Sequence, residues 1–67
     1  MNNLKILMAI ENVKATEISK ETGIARSTIS NIANNKTNRI SFNTMKKLTE
    51  YLDCTYDDLL DTNKFNI

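Results

Sequence analysis

The residues best able to do chemistry lie between Gly23 and Arg39. Arg26, Ser27, Thr28, Ser30 and Asn31 follow one another with only Ile29 between them. Arg26 carries a planar fork of donors, each hydroxyl both donates and accepts, and Asn31 pairs an amide donor with a carbonyl acceptor. An arginine fork matches guanine O6 and N7, and an asparagine amide matches adenine N6 and N7. The same side chains, taken alone, would also serve as the solvated face of a helix. They do not make a catalytic set. There is no His, one Cys and one glycine, so a zinc site, a disulfide framework and a glycine-rich phosphate loop are all excluded. With no such constellation and no room for a pocket in 67 residues, the expectation is a protein that is not an enzyme, holds no metal or cofactor and takes no small-molecule ligand.

These side chains need elements to position them, and helical periodicity dominates the chain. Leu4, Leu7 and Met8 line one face of a first helix, from about Asn3 to Asn12. Ile18 sits in a short second helix, from about Ala15 to Thr22, which Gly23 stops by taking the left-handed conformation cheaply. Ile24 is an apolar plug after that turn. A third helix, from about Ala25 to Asn34, points Ile29 and Ile32 inward, and 34–38 is a polar loop. Ser41 caps a fourth helix carrying Met45, Leu48, Tyr51 and Leu52 inward, and Asp53 ends it. Thr55-Tyr56-Asp57-Asp58 reads as a capping box that opens a fifth helix, Tyr56 to Leu60, with first-turn acids suited to the helix dipole. Cys54 fits as a small core residue beside Leu52 and Leu59. One domain is expected over 1–62, with a short tail over 63–67. The apolar run near Ile6 to Ile10 is too short to span a bilayer, and Glu11 and Asn12 follow it at once, unlike a secretory leader. The lone thiol suits a reducing compartment, so a cytoplasmic location is expected.

The net charge is only +1, but its distribution is uneven. Residues 1–21 balance three lysines against three glutamates. Residues 22–49 hold Arg26, Lys36, Arg39, Lys46 and Lys47 and no acid, whereas residues 50–67 set Lys64 against Glu50, Asp53, Asp57, Asp58 and Asp61. One basic face for a polyanion and one acidic face kept away from it would account for the split.

The segment from Glu17 to Ile32 joins a short helix, a glycine turn and a helix with a polar outer face. Ser19 is small where two such helices would cross, and Ile18, Ile24 and Ile29 would lock them at one angle. Here the chain resembles the phage Cro and lambda-type repressor helix-turn-helix family, the xenobiotic-response-element type of transcriptional regulator. The resemblance runs from Leu7 through Leu60 and includes Ile18-Ser19, Gly23-Ile24, Thr28-Ile29-Ser30, the loop Asn34 to Thr37, and the ending Thr55 to Leu60. It implies an all-α, five-helix DNA-binding domain. It also implies that the third helix enters the major groove with its first residues at base edges. Arg26 and Ser27 occupy those places, with Asn31 one turn further on. Ser27 is short enough to act through water, and Ser30 suits backbone or phosphate better than a base. By the same resemblance Thr28 and Asn34 match phosphate-touching positions, and Lys36 and Arg39 sit in the loop along the DNA backbone. The N-terminus of the fourth helix, Ser41 to Thr44, offers free N–H groups to another phosphate. Lys46 and Lys47 read as solvated.

Three features depart from the family pattern. Lys14 and Ala15 stand where a polar cap and a Gln usually open the second helix, which leaves Thr16 or Lys14 to substitute in a phosphate contact. Met8 and Ala33 stand where an Arg and a Glu often form an internal ion pair, and both partners are absent together, so no charge is stranded. Asp53 replaces a usual Gly.

Double-stranded DNA is thus the expected partner, read as an inverted repeat by a homodimer that is weak in solution, in the manner of a Cro-like or prophage-type repressor. The family's dimer contact maps to Ile40, Tyr56, Leu59 and Leu60, with Phe65 and Ile67 as candidates from the tail. The alternative is a small protein-binding module, antirepressor-like or antitoxin-like, on the same fold. The charge split makes the first expectation measurable. Affinity for duplex DNA should fall steeply with salt, and Lys36→Ala and Arg39→Ala should each weaken binding to all sequences alike and flatten the log–log slope by about one. A complex indifferent to salt would rule out the assigned face.

Overall fold

In a computed structural model, which describes residues 2–37 and 39–63, five helices follow one another: α1 (Leu4–Glu11), α2 (Ala15–Thr22), α3 (Arg26–Ala33), α4 (Phe42–Leu52) and α5 (Tyr56–Leu60). No strand occurs among the described residues. The all-α, five-helix fold is therefore the one expected, with α1 and α3 each shorter by a residue at either end. Phe65 and Ile67 lie outside the described residues.

Four of the five helices stop in the same way. Asn12, Gly23, Asn35 and Asp53 take left-handed backbone angles, at φ 55°, 78°, 58° and 51°. After α1, Asn12 N–H donates to the Ala9 carbonyl and Val13 N–H to that of Met8. The same pair of bonds follows α3, from Asn35 to Ile32 and Lys36 to Asn31, and follows α4, from Asp53 to Glu50 and Cys54 to Thr49. This double pattern satisfies carbonyls that the helix end would otherwise orphan. Gly23 makes the simpler version, a single bond to the Ser19 carbonyl at 2.9 Å. A Cβ at position 23 would meet nothing within 4 Å, so backbone conformation, and not space, calls for glycine there. Asn and Asp serve at the other three because they tolerate this region better than other side chains.

The core is one cluster: Leu4, Leu7, Ile18, Ile24, Ile29, Ile32, Leu48, Leu52 and Leu59. Met8, Ala33 and Cys54 are partly buried and pack against it, so apolar groups fill the places where the family's ion pair would stand. Two buried polar residues were not foreseen. Thr49 returns its hydroxyl to the carbonyls of Met45 and Lys46, at 3.0 Å each. Asn3 is 2% exposed and joins the two ends of the fold. Its backbone N–H donates to Leu59 O at 2.7 Å, and its Nδ2 donates to Asp58 O at 2.9 Å and Asp61 O at 2.7 Å. One side chain thereby satisfies two carbonyls at the end of α5. The capping box of α5 forms as expected, with Thr55 Oγ1 accepting from Asp58 N–H and Asp58 Oδ2 accepting from Thr55 N–H.

Leu59 requires a correction. It is 0% exposed, because α5 turns this residue onto the core and not outward, so it is unavailable as a contact surface. Asn3→Ala would leave the Asp58 and Asp61 carbonyls short of a donor and should cost about 1–3 kcal/mol. That loss appears as a fall in thermal midpoint of about 4–8 °C per kcal/mol for a domain of this size. Unchanged melting of the variant would show that water replaces the clip without loss.

Candidate nucleic-acid interface

Ile29 and Ile32 are 0% and 1% exposed and anchor α3. Everything else on its polar side follows from that anchoring. Arg26, Ser27, Thr28, Ser30 and Asn31 are all exposed: the period of 3.6 sets Ser27, Ser30 and Asn31 away from the two isoleucines and puts Arg26 and Thr28 at the edges of their stripe. Ala25 stands at the N-cap with no side-chain hydrogen bond, so the first-turn N–H groups of α3 remain uncapped. Among the described residues, the side chains of Arg26, Ser27, Thr28 and Asn31 have no hydrogen-bond partner. They form a helix face whose donors and acceptors are unspent.

The C-terminal end of α3 is arranged differently. Asn34 Nδ2 donates to the Ser30 carbonyl at 2.9 Å and to Ser30 Oγ at 3.3 Å. Ser30 and Asn34 are thus tied together through the Asn34 amide. After the left-handed Asn35, Lys36 and Arg39 are exposed, and Arg39 N–H donates to Thr37 Oγ1 at 3.1 Å. Thr16 is exposed in the first turn of α2. Lys14 caps that helix with no side-chain bond, as an ammonium must, since it has no acceptor.

At α4 the expectation of free N–H groups holds only in part. Ser41 Oγ accepts from Thr44 N–H at 3.1 Å and donates to Thr44 Oγ1 at 2.9 Å. The Thr44 amide is spent on the cap, which leaves those of Phe42 and Asn43. Lys46 is exposed, while Lys47 is half-buried beside an open groove lined by Glu21, Thr22, Glu50 and Tyr51. Two carboxylates share that groove with the ammonium, which separates Lys47 in character from the acid-free set of Arg26, Lys36 and Arg39. Cys54 lies near the acidic end, where burial first, then Asp58, Asp53 and Glu11, push its thiol above the ordinary range. A thiol so raised is a poor nucleophile at neutral pH.

The sequence did not point to Phe42. It is 71% exposed, and its ring meets that of Tyr56 edge to face, with centroids 6.2 Å apart and planes at 84°. Tyr56 and Leu60, one turn apart on α5, are 41% and 45% exposed. The signal was an aromatic directly after the Ser41 cap, where a first-turn residue usually faces out.

An uncapped helix with a polar outer face, held on a helix and a glycine turn by three buried isoleucines, defines a helix-turn-helix DNA-binding domain. The family model of the Cro/C1-type HTH DNA-binding domain matches residues 3–64, and the chain belongs to that family. No curated protein matches the sequence. No helix among the described residues is long and apolar enough to cross a membrane.

The unspent face of α3 generates a readout test. Arg26→Ala should cost about 1–3 kcal/mol and relax preference at one base position per half-site. Asn31→Ala should do the same more weakly at a neighbouring position. Base preferences measured by selection from random duplexes check both, and wild-type preferences in the two variants would mean that α3 does not read bases.

Proposed function

We propose that the protein is a sequence-specific transcriptional regulator, a repressor of the Cro-like or prophage type. It places α3 in the major groove of an inverted-repeat operator. The observation that carries this is the exposed, unpartnered set Arg26, Ser27, Thr28 and Asn31 above the fully buried Ile29. In this reading Arg26 and Asn31 meet base edges, while Thr16, Thr28, Asn34, Lys36 and Arg39 meet phosphate. Ser27 and Ser30 complete the surface through water or backbone. The protein works in the cytoplasm of a bacterial or phage-infected cell, performs no catalysis and needs no cofactor. Residues 1–62 act as the DNA-binding unit.

The operator is read by two copies. One protomer measures 32 × 24 × 18 Å, and half-sites of such proteins lie about 34 Å apart along one face of the duplex. A single copy therefore covers one half-site, and one small module buries only about 600–1,000 Å² of its surface on DNA. The contact between copies is assigned to Ile40, Phe42, Tyr56 and Leu60, of which Phe42, Tyr56 and Leu60 are exposed and Ile40 is half-buried. Asp57 and Asp61 flank this patch on α5 and would repel across a close two-fold axis. That makes the dimer weak when free and complete only on DNA.

Titration of a selected duplex against protein concentration tests the reading. Binding should be cooperative with two protomers per operator, scrambling one half-site should weaken it, and Leu60→Glu should abolish the cooperativity while leaving half-site binding. A single-site isotherm with one protein per operator would remove the dimer. No sequence-specific binding at physiological salt would favour the protein-binding module.

A further inference from the structure

Asn2 stands outside every role so far assigned, yet it is among the most bonded side chains in the protein. Its Oδ1 accepts from Leu4 N–H at 2.8 Å, opening α1. Its Nδ2 donates to Ile32 O at 2.9 Å and to Asn35 Oδ1 at 3.3 Å, and its backbone N–H donates to the same Asn35 oxygen at 3.2 Å. These partners lie at the end of α3 and at the left-handed residue that turns the chain into Lys36. Ile32 O also accepts from Asn35 N–H at 3.1 Å, and Asn31 O accepts from Lys36 N–H at 2.8 Å. Asn35 is thus held from both sides, through its backbone by α3 and through its side chain by Asn2.

We propose that Asn2 is a positioning residue for the phosphate-facing loop: by clamping Ile32 O and the Asn35 side chain from the start of α1, it fixes the turn that presents Lys36 and Arg39 to DNA. The inference rests on the DNA-binding reading above. Its physical basis is pre-organisation. A lysine on a loosely held loop must be ordered when it binds, and that entropy comes out of the affinity. Asn2 orders the turn beforehand, at a place where Lys36 and Arg39 are both exposed. Its amide is already engaged with Leu4, Ile32 and Asn35, so it acts through the geometry of its neighbours.

Asn2→Ser separates the two jobs of the side chain. Serine keeps an oxygen able to cap Leu4, but it is too short to reach Ile32 and Asn35. The probe is a duplex selected from random DNA with the wild-type protein, and the two readouts are binding across a salt series and amide hydrogen exchange of the free protein. The expected result is local. Exchange at Asn35 and Lys36 should rise about tenfold, as loss of one or two net hydrogen bonds implies, while the amides of Ile18 and Ile29 keep their protection. Affinity should fall several-fold on selected and random duplexes alike, with a shallower salt slope. Asn35→Gly keeps the left-handed turn and removes the shared acceptor, so its effect on affinity should be less than additive with that of Asn2→Ser. Unchanged exchange and affinity would overturn the proposal. So would a uniform rise in exchange at every amide, which would mark Asn2 as a contributor to global stability alone. Failure of the wild-type protein to bind duplex DNA would instead bring down the reading on which the proposal rests, and the exchange data would still show whether the clamp exists.

Discussion

Ile18, Ile24 and Ile29 are buried in one cluster, and their packing fixes how α3 leaves α2. The interface depends on that angle. If α3 rotated by one residue, about 100°, Ile29 would face solvent and Thr28 or Ser30 would enter the core, each with a hydroxyl to satisfy. Burying about three branched apolar side chains outweighs any such alternative, at roughly 1.5–3 kcal/mol each. The turn adds its own constraint, since only a residue at ease at φ 78° can end α2 where it ends. The polar face of α3 is exposed because the apolar one is committed, and the bases it could read are chosen by residues that contribute nothing to holding it in place.

This division explains which parts of the fold were legible in the sequence. Isoleucine and leucine spacing locates α1, α3 and α4, which each bury two or more residues in the same cluster, whereas α2 and α5 bury one each and are located by their ends. Gly23, Asp53 and the Thr55–Asp58 box mark helix ends through residue types with narrow conformational uses. Asn12 and Asn35 do the same work as Gly23 but were not singled out, because asparagine is also common in loops and on surfaces. The abundance of asparagine in a chain with one glycine was the available signal. Burial of Asn3 and Thr49 was hidden for another reason. Their partners are main-chain carbonyls, and for Asn3 those carbonyls lie more than fifty residues away, beyond the reach of any local pattern. Leu59 was read both as a core neighbour of Cys54 and as part of the dimer contact, and only the first place suits its burial, because a five-residue helix is too short for its period to distinguish it from Leu60.

The charge pattern has a structural counterpart. Arg26, Lys36 and Arg39 are exposed on α3 and the loop after it, whereas Asp57 and Asp58 sit in the first turn of α5, where the helix dipole favours them. Cys54 borders this acidic end, and its raised thiol keeps it chemically quiet. Met8 and Ala33 pack apolar groups against the core, and no charged residue is buried among the described ones.

The link that Asn3 makes to α5 has a consequence for the closing of the fold. Its bonds to the Asp58 and Asp61 carbonyls span 55 and 58 residues of sequence, so closing them costs more chain entropy than any contact between α2 and α3. Local pairs close at a smaller entropic cost than such distant ones, so the seat of α5 depends on the two ends of the fold meeting. The same helix carries Tyr56 and Leu60. A second protomer seated there would bind only the closed form, so subunit association would also act as a latch, making resistance to opening rise with protein concentration.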